Sequence, residues 1–382
     1  MIQRAILFPT LFLSALLSPH LDGITSARAQ EKARNSGGLP QKVDQRVGDF
    51  VAAKGIPGLS IAIAKNNQLI WEKGYGLADV ENSVAATAET RYRTASIAKS
   101  MTAVVILSLA EEGKLNLDED IRTYCPRYPA KKWGVTSRQL LGHLGGVRHY
   151  KSNAETRSTT HFFSLNAALE TFKDDPLRHE PGSKFLYTTF GYNLLGNVAE
   201  GASGRNFLQL LDERVFKPAA MEATVSDNQY AIIANRTRGY TRPDLGTITR
   251  LGGLGYMKPG ELYNAPLHDT SVKIPGGGLL ASAGDLVRFA TALNQGKMLP
   301  QTALDEMWTG QTTIDGKSTG YGLGWRVKTK DGKKTVSHTG GQAGTSTILM
   351  LHPSSGDAVA IMCNLQSVSL TSIAAELLEL AK

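Results

Sequence analysis

Ser96-Ile97-Ala98-Lys99 stands at the head of an apolar run, Met101-Thr102-Ala103-Val104-Val105-Ile106-Leu107-Ser108-Leu109-Ala110. Residues i and i+3 share one face of a helix, so the Lys99 amine reaches the Ser96 hydroxyl. A serine alcohol is a weak nucleophile until a base takes its proton, and an amine desolvated in a pocket can be that base. Roughly one S-x-x-K arises by chance in a chain of this length. Ser96 is the only serine here followed by lysine three residues later, so the chemistry has a single address.

Two other segments carry candidate parts of a site. Tyr187, in Phe185-Leu186-Tyr187-Thr188-Thr189-Phe190-Gly191-Tyr192, reads either as a core aromatic ahead of a helix or as a phenol relaying protons beside an amine. Ser337-His338-Thr339-Gly340-Gly341 reads either as a turn at a strand end or as one wall of a cleft. In the second reading the glycines let a substrate approach the backbone, and a free edge N–H polarises a carbonyl as half of an oxyanion hole. The other half is the Ser96 N–H at its helix start, where orphan donors point outward. Competing chemistries lack their motifs. There is no G-x-S-x-G elbow and no H-E-x-x-H, and His143 and His149 lie six apart without ligand spacing. Gly276-Gly277-Gly278 lacks a P-loop lysine and reads as a tight passage beside a cleft. No metal and no cofactor are expected.

The first 29 residues read as a secretory signal, with Arg4, an apolar stretch over 5–17 and Ala27-Arg28-Ala29 before Gln30. That stretch is too short to span a bilayer comfortably, and no other run approaches the ~20 apolar residues a span needs. A periplasmic or secreted protein with no stable membrane span after signal removal is therefore expected. The chain carries a formal charge of +8, and losing two arginines and one aspartate with the signal leaves +7. The surplus is spread out, and neither Lys131-Lys132 nor the lysines at 328, 330, 333 and 334 are interleaved with aromatics. A solvated basic surface is the expectation, not nucleic-acid binding. Cys125 and Cys363 are too few for a disulfide scaffold, and a bond between them stays open.

The pattern along the chain gives a leader over 30–40, a first helix over 42–54, and two β-rich runs around an Asn66-Asn67 turn, a hairpin signature. A helix from Ser96 stops at Gly113, a C′ glycine. Helices follow over 165–172, 192–201 and 206–216. Strands return over 322–327, 334–338, 346–351 and 358–362, before a terminal helix over 370–380. The expected class is α+β, with one antiparallel sheet built from both termini, flanked by helices, and a mostly helical insertion. In these terms a single domain over 41–382 divides into an α/β subdomain, about 41–95 and 275–382, and a helical subdomain, about 96–274.

Taken in order, the S-x-x-K, the tyrosine segment and the H-T-G strand resemble those of the serine β-lactamase and penicillin-binding-protein superfamily, in its class C-like branch. The resemblance covers about residues 40–380. Gly145-Gly146-Val147-Arg148-His149-Tyr150, Leu186-Tyr187-Thr188-Thr189-Phe190-Gly191-Tyr192 and Cys363-Asn364-Leu365-Gln366-Ser367-Val368 look closer to the mitochondrial serine β-lactamase-like proteins of animals. The resemblance implies a fold of the β-lactamase/transpeptidase type and an acyl-enzyme on Ser96, with Lys99 and Tyr187 in acid–base roles. It implies that His338 stands where many relatives carry lysine, that Thr339 contacts substrate, and that the Ser96 and Gly341 N–H groups form the oxyanion hole beside Gly340. Whether Lys99 or Tyr187 is the base stays open. Two positions depart from the common pattern: Thr189 replaces the asparagine of Tyr-x-Asn, and His338 replaces the lysine of K-T-G. Both favour a peptidase, amidase or esterase acting on a small-molecule or peptide substrate over a β-lactamase. A D-Ala-D-Ala carboxypeptidase and a fold-retaining scaffold that forms homo-oligomers or filaments are the alternatives.

Overall fold

A computed structural model describes residues 39–250 and 252–380. The signal over 1–29 and nearly all of the leader lie outside these residues. The leader's last two residues do not: helix α1 spans Leu39–Lys54 and so opens earlier than the expected 42.

The core of the fold is a seven-stranded antiparallel sheet. Its strands are β1 (Gly58–Lys65), β2 (Gln68–Asp79), β3 (Val84–Ala85), β4 (Arg326–Lys330), β5 (Lys333–Gln342), β6 (Thr345–His352) and β7 (Asp357–Cys363). They lie in the order β3-β2-β1-β7-β6-β5-β4, so β1 and β7, from opposite ends of the chain, pair at the centre. The register there sets Ile61 against Ile361 and Ile63 against Val359. Asn66 and Asn67 adopt φ of 50° and 60°, the two left-handed residues that a tight β1–β2 turn requires.

Alternation along the strands explains the layers. Leu59, Ile61 and Ile63 of β1, with Val359 and Ile361 of β7, face one core, closed by Val43 and Val47 of α1 and by Ile373 and Leu377 of α5 (Thr371–Leu380). The opposite face carries Ala62, Ala64, Ala358 and Ala360, small side chains that let α4 (Ala283–Asn294) lie close to the sheet. Both faces are covered, so β1 and β7 are apolar at nearly every position rather than alternating. Ile361 is 1 % exposed. Ile361→Ala should lower unfolding free energy by about 2–5 kcal/mol, seen as a lower denaturation midpoint at unchanged m-value.

Beyond the sheet the chain is mainly helical. Helix α2 (Ala98–Glu111) is buried from Ala98 to Leu109 and packs against α3 (Thr189–Ser203), as expected for a helix apolar on all sides. Gly113, at φ 69°, follows its end. Other expected helices are shorter or interrupted: 165–172 is helical over Leu165–Leu169, and 206–216 splits into Phe207–Leu211 and a π-turn over Asp212–Phe216. Gly322-Leu323-Gly324-Trp325 is a turn rather than a strand, with Gly324 at φ 84° and Trp325 fully buried. Cys125 and Cys363 are both free and buried.

Candidate active site

Ser96 does not begin α2 directly. It lies in a 3-10 turn, Ala95–Ile97, that runs into α2 at Ala98. Ala95 has φ 46°, a left-handed conformation that disfavours an L side chain by about 1–2 kcal/mol. The chain reverses at that residue from the short strand Tyr92–Arg93 into the turn, delivering Ser96 to the floor of a cleft of about 670 Å³. The same cleft is lined by Tyr187, Thr189, Thr339, Gly340 and Gly341. Three segments far apart in sequence thus meet at one place.

Lys99 lies one turn below Ser96 and is fully buried. Its Nζ donates to the Gly276 carbonyl at 2.6 Å and to Thr189 Oγ1 at 3.3 Å, and lies 3.1 Å from Ser96 Oγ. Burial, with a further contribution from the charge of Lys273, holds the amine well below the ordinary lysine range. A neutral amine has two N–H donors and one lone pair. In the charged form all three N–H groups donate, the third to Ser96 Oγ; in the neutral form the Gly276 carbonyl and Thr189 Oγ1 take both donors and the lone pair accepts the Ser96 O–H.

Gly276 earns its place sterically: a Cβ there would sit 2.6 Å from Thr189 Cγ2. Gly276-Gly277 is therefore the expected tight passage beside the cleft, and its carbonyl grips the lysine.

Tyr187 precedes α3, where Thr188 caps the helix by accepting from the Gly191 N–H. Its ring stands 5.0 Å from Lys99 Nζ. Burial pushes its phenol up to about 12, outweighing a hydrogen bond with Ser96 that acts the other way. The phenol is thus protonated at neutral pH and able to donate.

His338 is placed differently from the other parts. It is buried behind the cleft wall, with Nδ1 2.7 Å from the Thr339 carbonyl and Nε2 2.8 Å from the Tyr321 hydroxyl. The carbonyl only accepts, so Nδ1 carries the proton and Nε2 accepts from Tyr321. Burial, then Lys99, pushes its pKa down to about 3, so it is a neutral ring rather than a cation. Thr339 points to the exposed side of β5 while His338 and Gly340 point inward. Pairing of β5 with β4 stops at Ser337, which leaves the outer edge of 338–342 beside the Ala95–Ile97 turn. Gly340 fits there because a Cβ would lie 2.5 Å from the Thr94 carbonyl.

Residues of the cleft that sequence reasoning left without a role are His149, Tyr150, Arg157 and Lys273. His149 Nδ1 accepts from the Thr189 N–H at 3.1 Å, and burial, with Lys99 and Lys273, lowers its pKa to about 4. His143, fully buried, packs its ring 4.2 Å from that of Tyr187 and accepts from the Thr188 N–H. Of these, only His149 and Tyr150 fall in Gly145-Gly146-Val147-Arg148-His149-Tyr150, the segment singled out through resemblance.

Residues 43–382 match the beta-lactamase family. The chain belongs to that family. It is a serine hydrolase of the β-lactamase and penicillin-binding-protein fold. The mitochondrial serine beta-lactamase-like protein LACTB of Mus musculus is 30% identical, over 94% of this chain and 82% of that protein. Among solved structures, the D-amino acid amidase of Ochrobactrum anthropi, bound to D-phenylalanine, superposes with a TM-score of 0.76 at 22% identity, covering 90% of this chain and 98% of the amidase. The octameric penicillin-binding protein homologue of Pyrococcus abyssi gives 0.72 at 24%, over 90% of this chain and 78% of the homologue. No helix among the described residues is long and apolar enough to cross a membrane.

Proposed function

We propose that this hydrolase cleaves a peptide, amide or ester bond through an acyl-enzyme on Ser96. The observation carrying the reading is the buried Lys99 amine, held by the Gly276 carbonyl and Thr189 Oγ1, 3.1 Å from a serine at the floor of an open cleft. In the acylation step Ser96 Oγ attacks the substrate carbonyl as Lys99 takes its proton. The carbonyl oxygen takes up the charge against the Ser96 and Gly341 N–H groups. As the scissile bond breaks, Tyr187 hands a proton to the leaving group and is reprotonated from Lys99. Water then repeats the attack on the acyl carbon and restores the Ser96 hydroxyl. Lys99 is the base in this scheme because burial holds its amine well below the ordinary lysine range and so favours the neutral, proton-accepting form, whereas burial pushes the Tyr187 phenol up to about 12 and keeps its proton on.

In this reading Thr339, Gly340 and Gly341 hold the substrate along the free edge of β5, and Thr189 both lines the cleft and anchors Lys99. His338 supports that wall and Tyr321 as a neutral hydrogen-bonding group. A neutral ring there removes from the β5 wall the permanent cation that a K-T-G lysine offers a β-lactam carboxylate, which favours a peptide, amide or ester over a β-lactam as the main substrate. The A-x-A site supports export to the periplasm or beyond, and an octameric structural relative supports assembly into a homo-oligomer. The α/β subdomain of about 41–95 and 275–382 supplies the β5 wall, and the helical one of about 96–274 supplies Ser96, Lys99 and Tyr187.

Incubation with aryl esters, D-amino acid amides and nitrocefin, followed by intact-mass measurement, tests the proposal. Ester or amide substrates should leave an acyl adduct that maps to Ser96, with turnover above that of nitrocefin. Nitrocefin turnover exceeding both would overturn the preference, and an adduct on another residue would overturn the mechanism.

A further inference from the structure

The cleft around Ser96 is lined by two cations, and among the described residues by no carboxylate. Lys273 ends the 3-10 turn Ser271–Lys273 and is only 6 % exposed. Its Nζ stands 5.7 Å from the Tyr150 ring centroid, and among the described residues it has no ion-pair or hydrogen-bond partner. The acids around it are committed elsewhere. Asp227 takes Arg93 at 2.7 Å and Arg236 at 3.0 Å, and also accepts from Thr270. Asp269 is held by His161 and by the Ser271 N–H. Arg157, half-buried on the same cleft, likewise has no ion pair among the described residues.

A buried ammonium without an anion is unfavourable, because its lost hydration is not replaced. A chain folds around such a group when something in the cleft completes it, or when the ammonium loses its proton. Burial does lower the Lys273 pKa, but only to about 8, so the amine is still largely charged at pH 7. The position is also specific. Lys273 precedes Ile274-Pro275-Gly276, the residues that deliver the carbonyl gripping Lys99, so its charge is fixed relative to the reacting serine. The facing wall, Thr339 to Gln342, offers hydroxyl, amide and backbone groups and no competing acid.

We infer that Lys273, with Arg157 nearer solvent, forms an anion subsite in the cleft that takes a carboxylate carried by the substrate close to the bond being cleaved. This inference names a substrate class for the Ser96 reading above and rests on it. One carboxylate matches the single buried ammonium in charge, and the guanidinium can pair with its second oxygen. The substrate is then a monoanionic ester, amide or peptide rather than a neutral or cationic one.

Two probes place the charge on either side of the bond: mono-4-nitrophenyl glutarate on the acyl side and 4-carboxyphenyl butyrate on the leaving-group side. Each is compared with its own methyl ester, which is neutral and nearly the same shape. Binding to the Ser96→Ala chain is measured by calorimetry, so the result is independent of turnover. At least one acid should bind about tenfold or more tightly than its methyl ester, the size of one charged hydrogen bond. Adding Lys273→Met should erase that preference, and Lys273→Arg should keep most of it. Equal binding of acid and methyl ester for both probes overturns the subsite without any variant at 273, and so does a preference that survives Lys273→Met. Hydrolysis of the same esters by the unaltered chain is scored separately. A charge preference in binding with no Ser96-dependent hydrolysis would sink the acyl-enzyme reading and leave the anion subsite standing.

Discussion

Ser96→Ala is expected to abolish covalent labelling by a fluorophosphonate probe and to lower ester turnover by about 10⁴-fold or more, leaving the fold intact. Among the described residues Ser96 is the only hydroxyl with the Lys99 amine at 3.1 Å, the Tyr187 phenol in hydrogen-bonding contact and an open cleft above it. Removing Oγ deletes the atom that forms the covalent bond, and no neighbouring group takes over. Thr189, also bonded to Lys99, is 5 % exposed and contributes its hydroxyl to the amine rather than to the cleft floor. The loss should therefore appear in kcat and in the labelling rate together. Stability should change little, since a small side chain replaces a small one at a surface open to water. Gel fluorescence and thermal unfolding on the same samples decide the matter: equal labelling of Ser96→Ala refutes the assignment.

The sheet was legible because its evidence is local. β1, β6 and β7 are apolar runs bounded by turn residues, β2 is a β-rich one, and the Asn66-Asn67 pair carries the left-handed φ values its turn needs. The reversal at Ala95 was not legible. Alanine has no preference for φ 46°, and long-range packing holds it there: β5, Thr347 of β6 and Gly277 all close on Thr94 and Ala95. Of the candidate site, Ser96 and Lys99 were marked by residue type and spacing, and Tyr187 only by the resemblance. His338 stands where many relatives carry lysine, and strand alternation turns it inward to Tyr321. Its register depends on where β5 pairs with β6, a long-range fact that no local pattern contains. Lys273 was invisible for the opposite reason. A single lysine in a loop is ordinarily solvated, and nothing nearby in sequence shows that this one is buried in the cleft that holds Ser96.

Lys99→Met should slow acylation of Ser96 by about 10³-fold while making the protein more stable at neutral pH. Methionine fills nearly the same volume, so packing against the Tyr187 and Tyr192 rings is kept and the amine alone is lost. The rate falls because the serine proton loses its acceptor. Stability moves the other way by linkage. The folded-state pKa of Lys99 lies well below that of a solvated lysine, so between the two values the unfolded chain binds the extra proton. The group's contribution to stability is full above about pH 10.4, the unfolded lysine pKa, and is lost as pH falls through that window. At pH 7 the wild-type chain thus bears a penalty that Lys99→Met does not. The gain in unfolding free energy should be greatest near neutrality and shrink as pH approaches 10, and denaturant titrations of both chains at several pH values measure it. An equally stable or weaker Lys99→Met at pH 7, with native folding, would show that the buried amine is held as a paired cation, and Lys99 would lose its role as the base.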